Sequence, residues 1–258
     1  MANACPRRAF RWTRTASLLL AGLLAAAPAL AESPVESFNT QYRLKAAGFP
    51  FTVGAQRTLT RNGDDAWKME VVASNFLGEI RETSVFTWQE CLPVTHYYGY
   101  SRKGLGQVKT AELRIDGGKA TSERSEHEPY RYAVASPATD KIALTLALQC
   151  RLQQGDQNMV LNVADERGVE KQRFQVEGNE NLEIDGDEVA TVKVRRVRAP
   201  NSDRQTWLWF APEHGYTLVQ LVQKNDDGRH VMTLEPHPEG TRSLAVPPRV
   251  CCDARRPR

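Results

Sequence analysis

The chain has 258 residues and a formal charge of +3, but four arginines before residue 15 account for this excess. The remaining 30 basic residues face 31 acidic ones, so the rest of the chain has no basic surplus for nucleic acid, and no nucleic-acid partner is predicted. This length suits one large all-β domain or two small ones, with a core that does not depend on disulfides.

The first 31 residues have the organisation of an export signal. A basic region, Arg7–Arg14, contains no acidic residue and precedes an apolar run, Leu18–Leu30. Ala29-Leu30-Ala31 supplies the small-x-small pattern that signal peptidases cleave, so residues 1–31 are predicted to be removed and the protein to be periplasmic. The arginine pair keeps the twin-arginine route open beside the general secretory route. The apolar run is too short for a stable anchor, and no transmembrane span is predicted.

From Phe38 onward the dominant pattern is a two-residue alternation, which is typical of strands with one buried face. The alternating segments are Phe38–Leu44, Trp67–Ala73, Ser84–Trp88, Lys109–Ile115 and Tyr130–Val134, followed by strands at Asn158–Ala164, Glu170–Val176, Val189–Val197, Thr206–Phe210, Tyr216–Gln223 and His230–Leu234. Turn signals such as Asn62-Gly63 and Asp185-Gly186 separate these segments at intervals that suit antiparallel hairpins.

The segment Asp140–Leu152 interrupts this alternation. Its apolar residues recur at four-residue steps and its composition favours a helix, although part of it also alternates like a strand. A sheet of ten or more strands has to curl. The predicted fold is therefore mainly β: a single strongly curved antiparallel sheet, open or half-barrel, with one helix near 140–152 packed on its concave side. The domain is predicted to span 32–240, followed by a flexible tail, 241–258.

Cysteine spacing predicts neither a redox motif nor a zinc site. In an oxidising periplasm Cys91 and Cys150 are the candidates for a disulfide, and the adjacent Cys251 and Cys252 lie in the tail. The histidines have no recognisable ligand spacing, and no serine lies in a nucleophile elbow. We therefore predict no metal, no cofactor and no enzymatic activity.

Two aromatic pairs are candidates for a ligand pocket. Trp207 and Trp209 share one face of a strand, as do Phe86 and Trp88, so either pair would line an apolar pocket or pack in the core. Arg102 and Lys103 follow a cluster of tyrosines and are candidates for the mouth of such a pocket, where they would hold an anionic headgroup. The alternative is a half-buried hairpin whose basic side chains reach water.

Several short segments occur in a distinctive order along the chain. They are Tyr42-Arg43-Leu44, Ala47-Gly48-Phe49, Leu77-Gly78, Ser84-Val85-Phe86, Tyr100-Ser101-Arg102-Lys103-Gly104, Asp140-Lys141, Trp207-Leu208-Trp209-Phe210 and Gly215-Tyr216. In this order they resemble DUF3108, a family of exported bacterial proteins of unknown function, from Phe38 to Leu234. The family supplies no catalytic residues. The last quarter of the chain is also similar to the periplasmic lipoprotein-carrier fold, which implies a half-barrel over an internal helix.

The leading hypothesis is a non-enzymatic periplasmic protein that binds or carries a hydrophobic or amphiphilic envelope component, such as a lipid or lipoprotein. An acyl chain would be buried against the concave sheet. The alternative is an envelope scaffold or interaction protein with a packed interior and no small ligand. Large aromatic side chains in the concavity favour the second hypothesis, and a continuous apolar channel favours the first. The sequence predicts no particular oligomeric state.

Overall fold

The computed structural model describes residues 33–48, 51–104 and 106–235. Its strands are β1 (Phe38–Lys45), β2 (Thr52–Arg61), β3 (Ala66–Asn75), β4 (Gly78–Gln89), β5 (Leu92–Gly104), β6 (Gln107–Asp116), β7 (Lys119–Arg124), β8 (His127–Ala133), β9 (Asn158–Asp165), β10 (Gly168–Ile184), β11 (Asp187–Val197), β12 (Gln205–Ala211), β13 (Thr217–Asn225) and β14 (Gly228–Glu235). The α-helix α1 spans Leu144–Gln153, and a 3-10 turn spans Pro212–His214. The predicted signal segment and tail lie outside the described residues.

All of these strands belong to one antiparallel sheet. Their order is β8-β7-β6-β5-β4-β3-β2-β1-β14-β13-β12-β11-β10-β9. Strand β1 pairs with both β2 and β14, so the first and last strands are neighbours in the middle of the sheet. Strands β8 and β9 form its two edges. The prediction of a single open antiparallel sheet with one helix is confirmed.

The two edges approach each other without forming a ladder. The hydroxyl of Tyr132 on β8 donates to the carbonyl oxygen of Asp165 on β9 at 2.6 Å. The hydroxyl of Ser122 on β7 donates to the carbonyl oxygen of Glu166 at 2.9 Å. The connection from β8 to α1 also pairs with β9, since Thr139 forms a parallel bridge with Val163. These contacts require a strongly curved sheet, and the connection covers part of an otherwise unpaired edge.

The helix begins four residues later than the sequence predicts. The carboxylate of Asp140 accepts hydrogen bonds from the backbone N–H groups of Ile142 and Ala143, both at 3.0 Å. Asp140 therefore caps the tight turn that leads into α1. Seven of the ten helical residues are buried, so apolar residues occur on most sides of the helix. This burial explains why the segment also alternates like a strand.

The helix divides the core on the concave side of the sheet into two clusters. One packs Leu146 and Cys150 of the helix against β2–β7, and the other packs Leu144, Ala147, Leu148 and Leu152 against β9–β13. A disulfide joins Cys150 to Cys91, with 5.4 Å between the Cα atoms, and closes a separation of 59 residues. The helix is thus fixed covalently to the β4–β5 turn, where Cys91 lies, and to the far half of the sheet by packing.

Candidate functional site

The concave face of the sheet is filled by large side chains. Phe86 is fully buried, and its ring meets the partly buried ring of Trp88 edge-to-face with 5.4 Å between centroids. Tyr42, Met69 and Tyr98 are also fully buried on this side. The first predicted aromatic pair therefore faces the concavity, but its side chains are part of the packed core rather than the wall of a channel.

The second predicted pair lies on the other face of the sheet. Leu208 and Phe210 pack against α1, so strand alternation turns Trp207 and Trp209 away from the helix. Trp209 packs in a third cluster with Ile184, which lies near the tip of the β10–β11 hairpin. The two aromatic pairs thus lie on opposite faces of the sheet. They do not line a common pocket in which they could bind a ligand together.

This third cluster, which we call the outer cluster because it lies on the face away from the helix, is covered by the long β10–β11 hairpin. A register shift between Val176 and Gly178 marks a bulge in β10, and bulges of this kind bend a strand. At the hairpin tip, Asp185 forms an ion pair with Arg43 of β1. The tip turn that the sequence predicts at Asp185-Gly186 is present, and both residues have positive φ angles, 50° and 94°.

A buried cation that the sequence analysis missed links the helix to the sheet. Arg57 on β2 is only 5% exposed and donates to the hydroxyls of Thr145 at 2.7 Å and Tyr42 at 3.1 Å. Its guanidinium carbon also lies 5.7 Å and 5.5 Å from the ring centroids of Phe38 and Tyr42. These contacts place the side chain between the helix and the sheet in a structural role.

A polar network surrounds the start of the helix. The carboxylate of Asp140 accepts hydrogen bonds from the hydroxyls of Ser84 and Thr95, the latter at 2.7 Å. Burial raises the pKa of this carboxyl, although four hydrogen bonds to the carboxylate act in the opposite direction. These bonds satisfy the buried carboxylate within the fold, so we assign Asp140 to structure.

A second carboxylate, Glu82, lies beside this network. It accepts a hydrogen bond from the hydroxyl of Tyr98, and Lys141 Nζ lies 4.8 Å from the centroid of the Tyr98 ring. Burial raises the pKa of Glu82, while the Tyr98 hydrogen bond and the charge of Lys141 act to lower it. Lys141 also reaches Glu166 at 3.4 Å. A perturbed carboxyl of this kind also occurs in structural networks, and we derive no reaction from it.

A solvent-open cleft lies where the end of α1 meets the bend in β10. It has a volume of about 540 Å³. Its wall combines the apolar side chains of Leu152 and Val176 with the polar residues Asn179 and Thr191 and the ring of Tyr216. The size is that of a small-molecule site, but its wall is more polar than an acyl chain requires.

One end of the sheet carries a cluster of exposed apolar side chains, which we call the apolar tip. It consists of Phe76 and Leu77 in the β3–β4 turn, Ile80 on β4 and Val108 on β6. Their exposed fractions are 84%, 37%, 38% and 59%, respectively. The ring of Phe51, at the start of β2, lies 5.6 Å from that of Phe76. Ile80 pairs with Arg102 and Val108 pairs with Lys103, so these two apolar side chains project from opposite faces at this end of the sheet. Groups of exposed apolar side chains mark surfaces of interaction more often than isolated ones do.

The backbone holds the apolar tip in place. The side chain of Asn75 accepts hydrogen bonds from the backbone N–H groups of Leu77 at 2.9 Å and Gly78 at 3.2 Å. Gly78 pairs with Gly104 on β5 so closely that a Cβ atom on Gly104 would lie 2.6 Å from the carbonyl oxygen of Leu77. The two adjoining hairpin ends are therefore packed backbone to backbone, which fixes where Phe76 and Leu77 project.

Three exposed cations, which we call the basic rim, border the apolar tip. Arg102 lies opposite Ile80 and Lys109, and Lys103 lies opposite Val108. Within the described residues none of the three rim cations forms an ion pair. The sequence analysis identified Arg102 and Lys103 as candidates for an anionic headgroup, and the structure brings both to the surface beside exposed apolar groups.

The described residues contain no group of three or more histidine, cysteine or acidic side chains suited to a metal ion. Within the same ranges, no helix is long and apolar enough to cross a membrane. The surface features of the described residues include the cleft, the apolar tip and the basic rim.

Comparison with solved structures supports the fold. A beta-barrel-like protein of the domain of unknown function DUF1849 from Brucella abortus matches 77% of this chain and 95% of its own, with 9% identity and a TM-score of 0.51. The MucA/MucB complex structure from Pseudomonas aeruginosa matches 77% and 87%, with 10% identity and a TM-score of 0.17, which is too low to support an argument. The first similarity shows the fold alone.

Comparison with protein families gives a more specific result. No curated protein matches the chain. The family model described as "Protein of unknown function (DUF3108)" matches residues 38–235, which include every strand of the described sheet. The resemblance that the sequence motifs indicate is thereby confirmed, and the chain belongs to the DUF3108 family.

Proposed function

We propose that this protein is a non-enzymatic periplasmic protein that binds an amphiphilic envelope component, the surface of an anionic lipid bilayer, through its apolar tip and basic rim. The observation that carries the proposal is the 84% exposure of Phe76 at the end of a fixed turn. Exposure of an aromatic ring to water is unfavourable because of the hydrophobic effect. Burial of the ring among acyl chains at a lipid interface removes this cost.

The charges support a lipid surface as the partner. Arg102, Lys103 and Lys109 lie beside the apolar tip, and each cation near an anionic membrane contributes about 1 kcal/mol to binding. Glu79 on β4 lies opposite Lys103 in the register, and its carboxylate is paired with Arg81 at 3.3 Å. The rim cations are thus free to meet lipid phosphates while the apolar tip enters the interface.

The size of the tip also favours a lipid surface over a protein partner. Stable protein interfaces bury about 800 Å² on each side, with 20–30 residues. The apolar tip consists of four side chains on adjoining hairpin ends, and one of these, Phe76, projects furthest into solvent. A bilayer interface accepts such a narrow projection, because lipid adapts its shape to the inserted group.

The packed concave face argues against an acyl chain inside the sheet. Tyr42, Phe86 and Tyr98 are fully buried there, and α1 fills the space between the two halves of the sheet. These side chains occupy the volume that an internal lipid would need. The amphiphile is therefore proposed to be met at the surface rather than enclosed.

A second candidate function rests on the cleft at the end of α1. Its volume of about 540 Å³ would accommodate a small amphiphile, with Leu152 and Val176 against the apolar part and Asn179 and Thr191 against the polar part. In this alternative the protein carries a ligand, but in the cleft rather than on the concave face.

The test is binding of the exported protein to lipid vesicles. Vesicles of phosphatidylcholine with about one third phosphatidylglycerol are compared with pure phosphatidylcholine by co-sedimentation. We expect binding to the anionic vesicles that weakens as salt is added, because screening acts on exposed charges. The double variant Phe76→Ser/Leu77→Ser is expected to bind about tenfold more weakly, since apolar area no longer enters the lipid.

The matched control is Val160→Ser/Val169→Ser, which removes two exposed apolar side chains from β9 and β10. This variant is expected to bind as the wild type does, and circular dichroism checks that all variants are folded. Equal binding by the wild type and the Phe76→Ser/Leu77→Ser variant would overturn the proposal, as would a wild type that does not bind the anionic vesicles.

A further inference from the structure

A second cleft, distinct from the apolar tip, lies between the start of β10 and the end of β11. It has a volume of about 520 Å³ and includes Arg196, Arg198 and Gln172 in its wall, with Ser202 in the loop before β12. Phe174 pairs with Arg196 in the antiparallel register, so Arg196 and Arg198 project from the same side of the sheet as the buried Gln172 and Phe174. Two guanidinium groups are thereby directed into one concave surface.

The cleft contains more positive than negative charge. Its single lining carboxylate, Glu170, bonds to Arg196 at 2.6 Å and to the amide of Gln172 at 3.1 Å. Arg198 has no ion pair within the described ranges. The only other acid in the adjoining loop is Asp203, which is exposed. Lys171 and Arg173 add cationic side chains on the outer side of β10.

The Nε atom of Arg198 is buried and has no acceptor among the described residues, so only the terminal N–H groups of this side chain are available to a ligand in the cleft. Burial lowers the pKa of this guanidinium, as do the neighbouring charges of Arg196 and Arg204, while the charge of Glu170 acts to raise it. A buried donor without an acceptor, beside two like charges, costs stability. An anion bound at the terminal N–H groups of Arg198 would offset the repulsion between these cations.

The chemistry of the group that would fit follows from the donors. An arginine offers parallel N–H groups that match two oxygens of a phosphate or sulfate, and two arginines in one cleft match a dianion. The hydroxyl of Ser202 lies in the same wall, where it donates to the carbonyl oxygen of Arg204 at 3.4 Å. Compared with a carboxylate, a phosphate dianion presents more oxygens and a second negative charge to the two guanidinium groups.

We propose that the cleft between β10 and β11 is a binding site for a phosphate monoester, held by Arg196 and Arg198. The site uses none of the residues of the apolar tip or the basic rim, so it does not depend on the proposed lipid-surface function. The group recognised is the phosphate itself, which a free phosphorylated metabolite or a phosphorylated lipid headgroup would supply equally.

The experiment is an NMR titration of the exported protein that follows the arginine Nε–H signals at constant ionic strength. Inorganic phosphate, glucose 1-phosphate and a short-chain phosphatidic acid below its micelle concentration are added separately. We expect a saturable shift of the Arg198 signal, which is assigned by its disappearance in Arg198→Lys. Tighter binding of phosphatidic acid identifies a lipid source, and tighter binding of glucose 1-phosphate identifies a sugar phosphate.

The variants decide whether the cleft is responsible. Arg198→Lys keeps the charge but removes the buried Nε donor and the planar fork, and it is expected to weaken phosphate binding about tenfold. The matched control, Arg131→Gln, removes an exposed arginine on β8 and is expected to leave affinity unchanged. An Arg198 signal that does not move, or equal affinities of the wild type and Arg198→Lys, would overturn the proposal.

Discussion

At the scale of single residues, the least ordinary group is the carboxyl of Glu82. Its concave-side position beside Tyr98 and Asp140 follows from alternation along β4, since Ser84 and Glu82 share a face. Burial on this side favours the uncharged acid, and Lys141 offsets only part of that effect. The result is a carboxyl that binds a proton more readily in the folded protein than in the unfolded chain.

This difference gives a pH dependence of stability. A carboxyl with a raised folded pKa contributes stability below its unfolded value, near 4.5, and loses it as the pH rises through the folded value. Glu82→Gln keeps an acceptor for Tyr98 but cannot ionise. We expect the unfolding free energy of the variant to fall less than that of the wild type between about pH 5 and about pH 8.

The measurement is urea unfolding of both proteins at several pH values in this range. Glu123→Gln is the matched control, because Glu123 is an exposed acid on β7, outside the buried network around Asp140. Its pH dependence should equal that of the wild type. Parallel pH profiles for Glu82→Gln and the wild type would show that the Glu82 carboxyl is not responsible.

At the scale of elements, the apolar tip depends on two adjoining hairpin ends rather than on one turn. The β3–β4 and β5–β6 hairpins meet where Gly78 faces Gly104, and neither position has room for a Cβ atom. Two facing glycines thus permit a backbone approach that other residues would prevent. The turn could be formed with polar residues in place of Phe76 and Leu77, so these two side chains are not required by the turn itself.

Gly104→Ala tests this contact. The new Cβ atom would lie 2.6 Å from the carbonyl oxygen of Leu77 and 3.3 Å from the Cα atom of Gly78, so one hairpin end has to move. We expect a loss of about 1–3 kcal/mol in the free energy of unfolding, measured by urea denaturation. In contrast, Gly54→Ala on β2 adds a Cβ atom with no heavy atom within 4 Å and is expected to change stability by less than about 0.5 kcal/mol. Equal effects of the two substitutions would contradict the close packing.

At the scale of the whole molecule, the periodicity of the sequence predicts the architecture but not the orientation of individual faces. Alternation places Trp207 and Trp209 on a common side, yet it does not say which side becomes concave. That side is decided by the long-range placement of α1 and by the β10–β11 hairpin, which covers the outer cluster. The family resemblance, in turn, identifies the fold but offers no site residues.

The surface sites could not be predicted from local sequence patterns, because their residues come together only through long-range strand pairing. The apolar tip includes Phe76 and Val108, which are 32 positions apart in the chain. Only the pairing of β4, β5 and β6 brings them to the same end of the sheet. In the sequence, Arg196 and Arg198 are typical of an alternating strand. Their cleft becomes visible only in the structure, where Glu170 of β10 lies beside Arg196. Arg57 likewise gives no signal of burial, because its partners, Tyr42 and Thr145, come from another strand and the helix.

The packed interior leads to a prediction for the molecule as a whole. Native mass spectrometry of the exported protein, purified without detergent, is expected to show the mass of the polypeptide alone, because Phe86, Tyr98 and α1 occupy the concave side. A discrete added mass that extracts into organic solvent would contradict this expectation. If Ala190→Trp, which would fill the cleft at the end of α1, removed that mass, the second candidate function would be supported.

The pairing of β1 with β14 determines when the sheet can be completed during folding. A chain synthesised from its N-terminus closes the hairpins β1 to β8 one after another, but one side of β1 stays without a backbone partner until residue 235 has been made. Over that interval the nascent protein exposes a bare strand that can pair with another molecule. A chaperone that shields β1, or that delays folding until β14 is available, would therefore raise the yield of folded protein. The gain would be larger than for a protein whose first and last strands lie at the edges of its sheet.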